Sequence, residues 1–212
     1  MLGKKVLSID IGTHSIKIVV GKHQNKIVNV EKAFTIPTPL GAYNDGNIEK
    51  AELIIEAIKD FLNEKKIKVK NVIFTVESSS TITREITLPM VKNEELESMI
   101  RFEIEQYLPI DFNEYVIQYK ILEEFKEVDV KKHRILVVAL PKDIVKAFFD
   151  LNNELKLKPV ALDIHTNGIS KIFETEMRVG EENYSLSETV AVIDIGHSST
   201  NINIINNGIL EF

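Results

Sequence analysis

Short apolar runs separated by polar turns set the rhythm of the first third of the chain. Residues 4–11 (KKVLSIDI) form a run rich in β-branched residues that Gly12 ends. Residues 16–20 (IKIVV) form a second run, the polar GKHQNK follows, and 27–36 (IVNVEKAFTI) forms a third. Strand-like runs joined by short turns predict a meander. The stretch PTPLGAYNDGN is rich in breakers and predicts a loop. Asn47 is placed to cap a helix from Ile48 to about Lys65, on which Ala51, Ile54, Ile55, Ile58, Phe61 and Leu62 recur at helical spacing. VIFTV (72–76) then predicts a buried strand, so residues 1–76 read βββαβ, a layered α/β unit.

From Glu77 the texture changes. ESSSTITREITLP predicts a loop and a polar–apolar strand. Asn93, followed by Glu94 and Glu95, starts a second helix, since an Asn cap and early carboxylates suit a helix N-terminus. Leu96, Met99, Ile100, Ile104, Tyr107 and Leu108 line one face of it, and Pro109 helps end it. Strands are predicted at 115–122 and 134–140, and a helix at 142–155 with Ile144, Phe148, Leu151 and Leu155 on one stripe. Residues 77–158 are thereby expected to form an inserted subdomain. KPVALDI (158–164) predicts a further buried strand and about Thr166 to Met177 a helix, which places 159–178 with the first unit. The polar VGEENYSLSE is the second break. A last unit over 187–212 has strands at 189–195 and 200–205, a turn at Asn206-Asn207-Gly208, and a strand from Ile209.

That last unit repeats the first. Between residues 6–21 and 190–205, seven of sixteen positions are identical, including Ile9–Gly12 against Ile193–Gly196 and Ser15 against Ser199. Each copy is a strand ending in aspartate, one apolar residue and glycine. The glycine allows a sharp turn and close approach of a ligand to the backbone. Thr13-His14-Ser15 and His197-Ser198-Ser199 then offer amides and hydroxyls of the kind that cradle phosphate oxygens. Two copies facing one another could grip a polyphosphate from both sides. Asp10 and Asp194 would meet across it, and two carboxylates about 4 Å apart repel by roughly 4 kcal/mol at an effective dielectric near 20. A Mg²⁺ held mainly through its waters reverses that sign and suits two lone carboxylates. Lys17 adds a point charge. His23 and His133 carry no signal, and Ser78-Ser79-Ser80 has no positioned base beside it.

Composition narrows the partners. The 212 residues are 44% hydrophobic, enough for a sizeable core, with 26 basic and 32 acidic residues and a formal charge of −6. That balance disfavours nucleic acid, whose binding needs a basic face. There is no cysteine, so a reducing compartment is the economical expectation. The opening MLGKKVLSIDIG is broken by Asp10 too early for a signal peptide, and no run reaches the roughly 20 apolar residues of a membrane span. A cytoplasmic protein is expected.

A duplicated Asp-x-Gly hairpin around an insertion resembles the superfamily of actin, the large chaperone ATPases and the sugar kinases. Within it, REITLPMVKNEELESMIRFEIEQYLPIDFNEYVIQYKIL (84–122) resembles the PilM family of actin-like type IV pilus assembly proteins. IPTPLGAYNDGNIEKAELIIEAIKDFL and LKPVALDI resemble other stretches of the same family. The resemblance implies an α/β actin-like ATPase fold: subdomain 1A over 1–76 and 159–178, subdomain 1C over 77–158, and the start of 2A over 187–212. It implies ATP or ADP with Mg²⁺ held by Asp10, Gly12, Thr13, His14, Ser15, Lys17, Asp194, Gly196, His197, Ser198, Ser199 and Thr200, with the metal between Asp10 and Asp194. It implies a partner, the cytoplasmic tail of a PilN-type membrane protein in the groove between 1A and 1C, and a place in the pilus inner-membrane complex at the inner face of the membrane.

Asp10, Asp194 and His165 are the candidate catalytic positions. His165 stands where the wider superfamily often has a Glu or Gln that orients water, so hydrolysis is expected to be weak or absent. A sugar- or acetate-type kinase stays an alternative, although DIGHSSTNI lacks a glycine-rich second phosphate loop. An actin-like division or filament protein is the other. The chain carries only the opening hairpin of the family's second domain, as a piece of a longer protein or as a naturally short one. Ile193, Ile195, Ile202, Ile204, Ile209, Leu210 and Phe212 are then expected to stand uncovered, favouring self-association through 189–212 or a lack of order there.

Overall fold

The computed structural model describes residues 4–24, 27–107, 111–173, 177–179, 182–185 and 187–211. In chain order, the elements begin with strands β1 (Lys5–Ile11), β2 (Ser15–Gln24) and β3 (Ile27–Pro37), the two-residue strands β4 (Tyr43–Asn44) and β5 (Asn47–Ile48), helix α1 (Ala51–Glu64) and strand β6 (Asn71–Val76). Strand β7 (Ile82–Pro89), helix α2 (Asn93–Tyr107), strands β8 (Tyr115–Glu127) and β9 (Val130–Pro141) and helix α3 (Lys142–Glu154) follow. The chain continues through β10 (Lys158–Ile164), α4 (His165–Ser170), β11 (Met177–Val179), β12 (Glu182–Tyr184), β13 (Thr189–Ile195), β14 (Thr200–Asn206) and β15 (Ile209–Leu210). Two compact units result, Met1–Ser78 with Lys146–Phe212, and Ser79–Val145.

In the first unit five strands run in the order β10-β6-β1-β2-β3. β1, β2 and β3 are antiparallel neighbours, whereas β6 and β10 join parallel to β1. Register places Phe34, Ile18, Ile9 and Phe74 in one row across the sheet, on one face. Ile9 and Ile18 are fully buried there. Phe61 of α1 meets Phe34 edge-on at 5.1 Å, and Phe148 of α3 meets Phe74 at 5.6 Å. Both helices therefore cover this face. The next row, one residue along each strand, is Lys17, Asp10, Thr75 and Asp163, and it points to the opposite face. Period-two alternation thus puts polar residues of four strands on one surface.

The second unit is an antiparallel sheet ordered β7-β9-β8. Leu96, Ile100 and Ile104 of α2 pack with Ile86, Leu88, Ile135 and Val137. Its strands outrun the expected 115–122 and 134–140, because Val128 and Asp129, at φ 44° and 66°, make a tight turn that carries the ladder to Glu127 and Val130. The compact unit ends at Val145 rather than 158, since α3 turns its Phe148 onto β6 of the first unit's own sheet.

Three local expectations change. Asn47 is no helix cap: Asp45 and Gly46, at φ 45° and 84°, turn the chain into a β4–β5 hairpin, and Asn47 donates to the Asp45 carbonyl. α1 starts at Ala51 with no side-chain cap. The helix after β10 stops at Ser170 instead of Met177, and its last turn tightens as the Ile172 and Phe173 amides reach Ile169 and Ser170. Thr166, Gly168 and Ile169 are weak helix formers, so little propensity sustains it. Of the apolar set in 189–212, Leu210 is buried, as is its neighbour Ile205, while Ile193, Ile195 and Ile202 are exposed. Leu108, Pro109 and Phe212 lie outside the described residues, as do 174–176 of the expected helix.

Candidate functional site

The two copies of the repeat close the same turn. The Gly12 amide donates to the Ser15 carbonyl at 3.0 Å, and the Gly196 amide donates to the Ser199 carbonyl at 2.9 Å. A Cβ on either glycine would sit 3.0 Å from that carbonyl oxygen, so close backbone approach keeps both positions side-chain-free. The first loop is tied down further, with Thr38 donating its hydroxyl to Gly12 O at 2.6 Å and its amide to His14 O at 3.0 Å.

The loops meet tip to tip. The Thr13 and Ser198 hydroxyls are 3.1 Å apart, and the His14 and His197 rings stack with centroids 5.0 Å apart. Equivalent residues one place apart in the two copies thus face one another. Ser15 opens β2 with its carbonyl in the turn, and Thr200 opens β14 opposite Ile195 and is exposed.

The two aspartates have different company. Register sets Asp10 against Lys17 and Asp194 against Asn201. Lys17 donates to Asp10 Oδ2 at 2.9 Å, and Thr75 donates to Asp10 Oδ1 at 3.2 Å. Burial alone works to lower the Lys17 ammonium pKa, but the Asp10 hydrogen bond and charge, with the fields of Asp194 and Glu77, outweigh it and raise it above 10.5. The pair's contribution is therefore present below that pH and lost as pH rises through the raised value. Lys17→Met should accordingly show its largest stability deficit at neutral pH, closing above about pH 10.5; a deficit independent of pH in denaturant titrations would remove the ion pair as its cause.

Asn201 turns away from Asp194 and donates instead to Glu77 Oε1. Ser199 donates to the same oxygen at 3.2 Å. Glu77 follows the last residue of β6, and its other oxygen lies 3.6 Å from His165 Nδ1, which is also 3.6 Å from Asp194 Oδ2. His165 opens α4, beside an Asp163 that is fully engaged by Asn167, Lys171 and the Ile164 amide. Nearby, Tyr43 is 5% exposed, and its hydroxyl has no hydrogen-bond partner among the described residues. Burial, then the Asp10, Glu77 and Asp45 carboxylates, hold its pKa well above the usual phenol range, so it stays a donor.

Sequence reasoning missed Glu77, Thr75, Asn201 and Tyr43. The repeat itself held one signal: Asn201 departs from Lys17 at the position facing the aspartate. Among the described residues no cluster of three or more His, Cys, Asp or Glu side chains is arranged to enclose a metal ion by itself, and no helix is long and apolar enough to cross a membrane.

A family model described as type IV pilus assembly protein PilM matches residues 8–212. The chain belongs to the PilM family. A solved PilM–PilN type IV pilus biogenesis complex is 25% identical and superposes with a TM-score of 0.80 over 98% of this chain and 60% of that one. The chain thus spans 60% of the length of that PilM-like structure. The cytoplasmic domain of EpsL, an inner membrane component of the Vibrio cholerae type II secretion system, is 13% identical at a TM-score of 0.48, over 76% of this chain and 57% of that one. A Bacteroides thetaiotaomicron protein with an actin-like ATPase fold is 13% identical at 0.47, over 99% and 68%. Membership of the PilM family and the mixed five-stranded sheet together give this chain the α/β actin-like ATPase fold.

Proposed function

We propose that this chain carries the nucleotide-binding half of a pilus assembly adaptor, one that engages the cytoplasmic tail of a PilN-type membrane protein at the inner face of the membrane. The observation that supports it most is the match, over 98% of the chain, to a PilM solved together with PilN.

The donor chemistry suits a Mg-nucleotide, ATP or ADP. Asp10 and Asp194 are carboxylates at equivalent strand ends, each partly exposed, and Asp10 already attracts a cation in Lys17. Thr13, Ser198 and the loop amides around them supply hydrogen-bond donors for phosphate oxygens. When bound, Mg²⁺ would neutralise charge between the carboxylates and the phosphates. The chain's own part is to hold: Gly12 and Gly196 set the turns, Thr38 fixes the first, and the His14–His197 contact brings the tips together. With His165 at the head of α4, the nucleotide acts as a structural ligand that stabilises the protein by mass action rather than as a fast-turnover substrate.

For the tail, the exposed face of α2 in the second unit offers Phe102, which is 66% exposed, beside Arg101. An extended apolar peptide gains from such an anchor. Calorimetry with a synthetic PilN-type tail should show specific binding, and Phe102→Ala should weaken it by about tenfold, the scale of a modest interface anchor. Absence of any tail binding to the folded protein would sink the adaptor reading. Unchanged affinity in the variant would move the contact off α2.

A further inference from the structure

The two hairpins differ at the position that faces the aspartate. Lys17 and Asn201 hold the same register position, each directly across from its strand's aspartate. Lys17 folds back onto Asp10. Asn201 does not fold back onto Asp194; it reaches Glu77, 124 residues away in sequence, and Ser199 reaches the same carboxylate oxygen. Glu77 therefore holds two side chains of the second hairpin from the end of a strand in the first sheet.

We propose that Glu77 is a positioning residue of the nucleotide site, which fixes the second hairpin against the first sheet and adds a third carboxylate to the pair already there. The proposal rests on the nucleotide reading above and deepens it. Two hydrogen bonds to one ionised oxygen are of the stronger kind, and they leave Asp194 turned toward His165 rather than toward Asn201. The other Glu77 oxygen faces the same His165 nitrogen. A hairpin bearing a metal-binding aspartate needs its backbone placed to within a fraction of an ångström, and a partner from outside the hairpin supplies that constraint.

Three further observations point the same way. Lys17 pairs with Asp10 at 2.9 Å and feels the fields of Asp194 and Glu77 as well. Tyr43, buried and with its hydroxyl unpartnered among the described residues, lies in the combined field of Asp10 and Glu77. The β4–β5 turn also seats Gly46 directly on the Glu77 carbonyl and the Ser78 side chain, which holds the backbone that carries Glu77.

Glutamine and alanine separate the two roles. Glu77→Gln keeps an amide oxygen able to accept from both Ser199 and Asn201, but removes the charge. Glu77→Ala removes both. A Ser199→Ala/Asn201→Ala double variant removes the tether from the other side and leaves the charge. Calorimetry with Mg-ADP and with ADP in excess EDTA provides the readout, with circular dichroism and melting curves to check each fold. Glu77→Ala and the double variant should each weaken Mg-ADP binding by about tenfold or more, the loss expected when charge-assisted hydrogen bonds are removed, whereas Glu77→Gln should stay within about threefold of the parent. In EDTA, Glu77→Gln should bind ADP more tightly than the parent, because one carboxylate fewer opposes the phosphates.

A purely structural role for Glu77 would lower melting temperature in all three variants and leave the Mg-to-EDTA affinity ratio alone, and that result overturns the proposal. Parent-like Mg-ADP binding by Glu77→Ala, or a loss in Glu77→Gln as large as in Glu77→Ala, overturns it as well. If the parent protein binds no Mg-ADP, the nucleotide reading falls and this proposal with it. If the parent binds and only Glu77 proves indifferent, the positioning role falls alone.

Discussion

Alanine at Asp10 or at Asp194 is expected to abolish Mg²⁺-dependent nucleotide binding, a loss of about 100-fold or more, while the protein stays folded. Removing a carboxylate from a hydrated Mg²⁺ site takes away one of its few protein anchors. The fold should tolerate either change. Asp10 lies on the sheet face opposite the Phe34–Ile18–Ile9–Phe74 row, so no core volume is lost. The ion pair that Asp10→Ala breaks has a half-exposed lysine, and such pairs contribute roughly 0–1 kcal/mol. Calorimetric titration of both variants beside the parent decides the matter. Unchanged ATP affinity in both, with the parent binding, would show that the paired hairpins do not hold the nucleotide.

The second large effect is on stability. Gly46→Ala should cost roughly 2–5 kcal/mol, from the left-handed backbone and the collision together. Gly46 has φ of 84°, and a Cβ there would lie 2.6 Å from the Ser78 Cβ and 3.1 Å from the Glu77 carbonyl oxygen. At this chain length the melting temperature should drop by about 5–15 °C. Gly168 is the matched control. It sits inside α4 with open space where a Cβ would go, so Gly168→Ala should be neutral or stabilise by up to about 1 kcal/mol. Equal melting temperatures for the two variants would refute the close seating of the β4–β5 turn.

Periodicity was a good guide wherever one face is buried. The strands around Leu7, Ile9 and Ile18 and the helix carrying Ile54, Ile58 and Phe61 were legible because each buries every second or every third to fourth residue. The hairpins were legible because the phrase is written twice. What escaped were features that no local pattern encodes. Glu77 gains its meaning from Ser199 and Asn201, 122 and 124 positions away. Tyr43 sits in a stretch whose breakers predict a loop, and the Asp45-Gly46 turn makes a two-residue hairpin of it instead. The same hairpin takes Asn47 away from the helix cap that its sequence position predicts. The short α4 ends early because Thr166, Gly168 and Ile169 bring little intrinsic helix propensity.

Consider the duplicated turn as a copied part that was then edited. What was retained is the hinge-like closure, glycine amide to serine carbonyl, with nearly equal lengths in both copies. Among the positions edited is the side chain across from the aspartate. A first hairpin rebuilt with the second one's sequence would close its turn just as well, yet it would leave Asp10 without its cation. The two halves are therefore alike in shape and not interchangeable in charge. One carries its counter-ion within itself, the other borrows its restraint from its neighbour, and that division of labour gives a symmetric cradle a definite left and right.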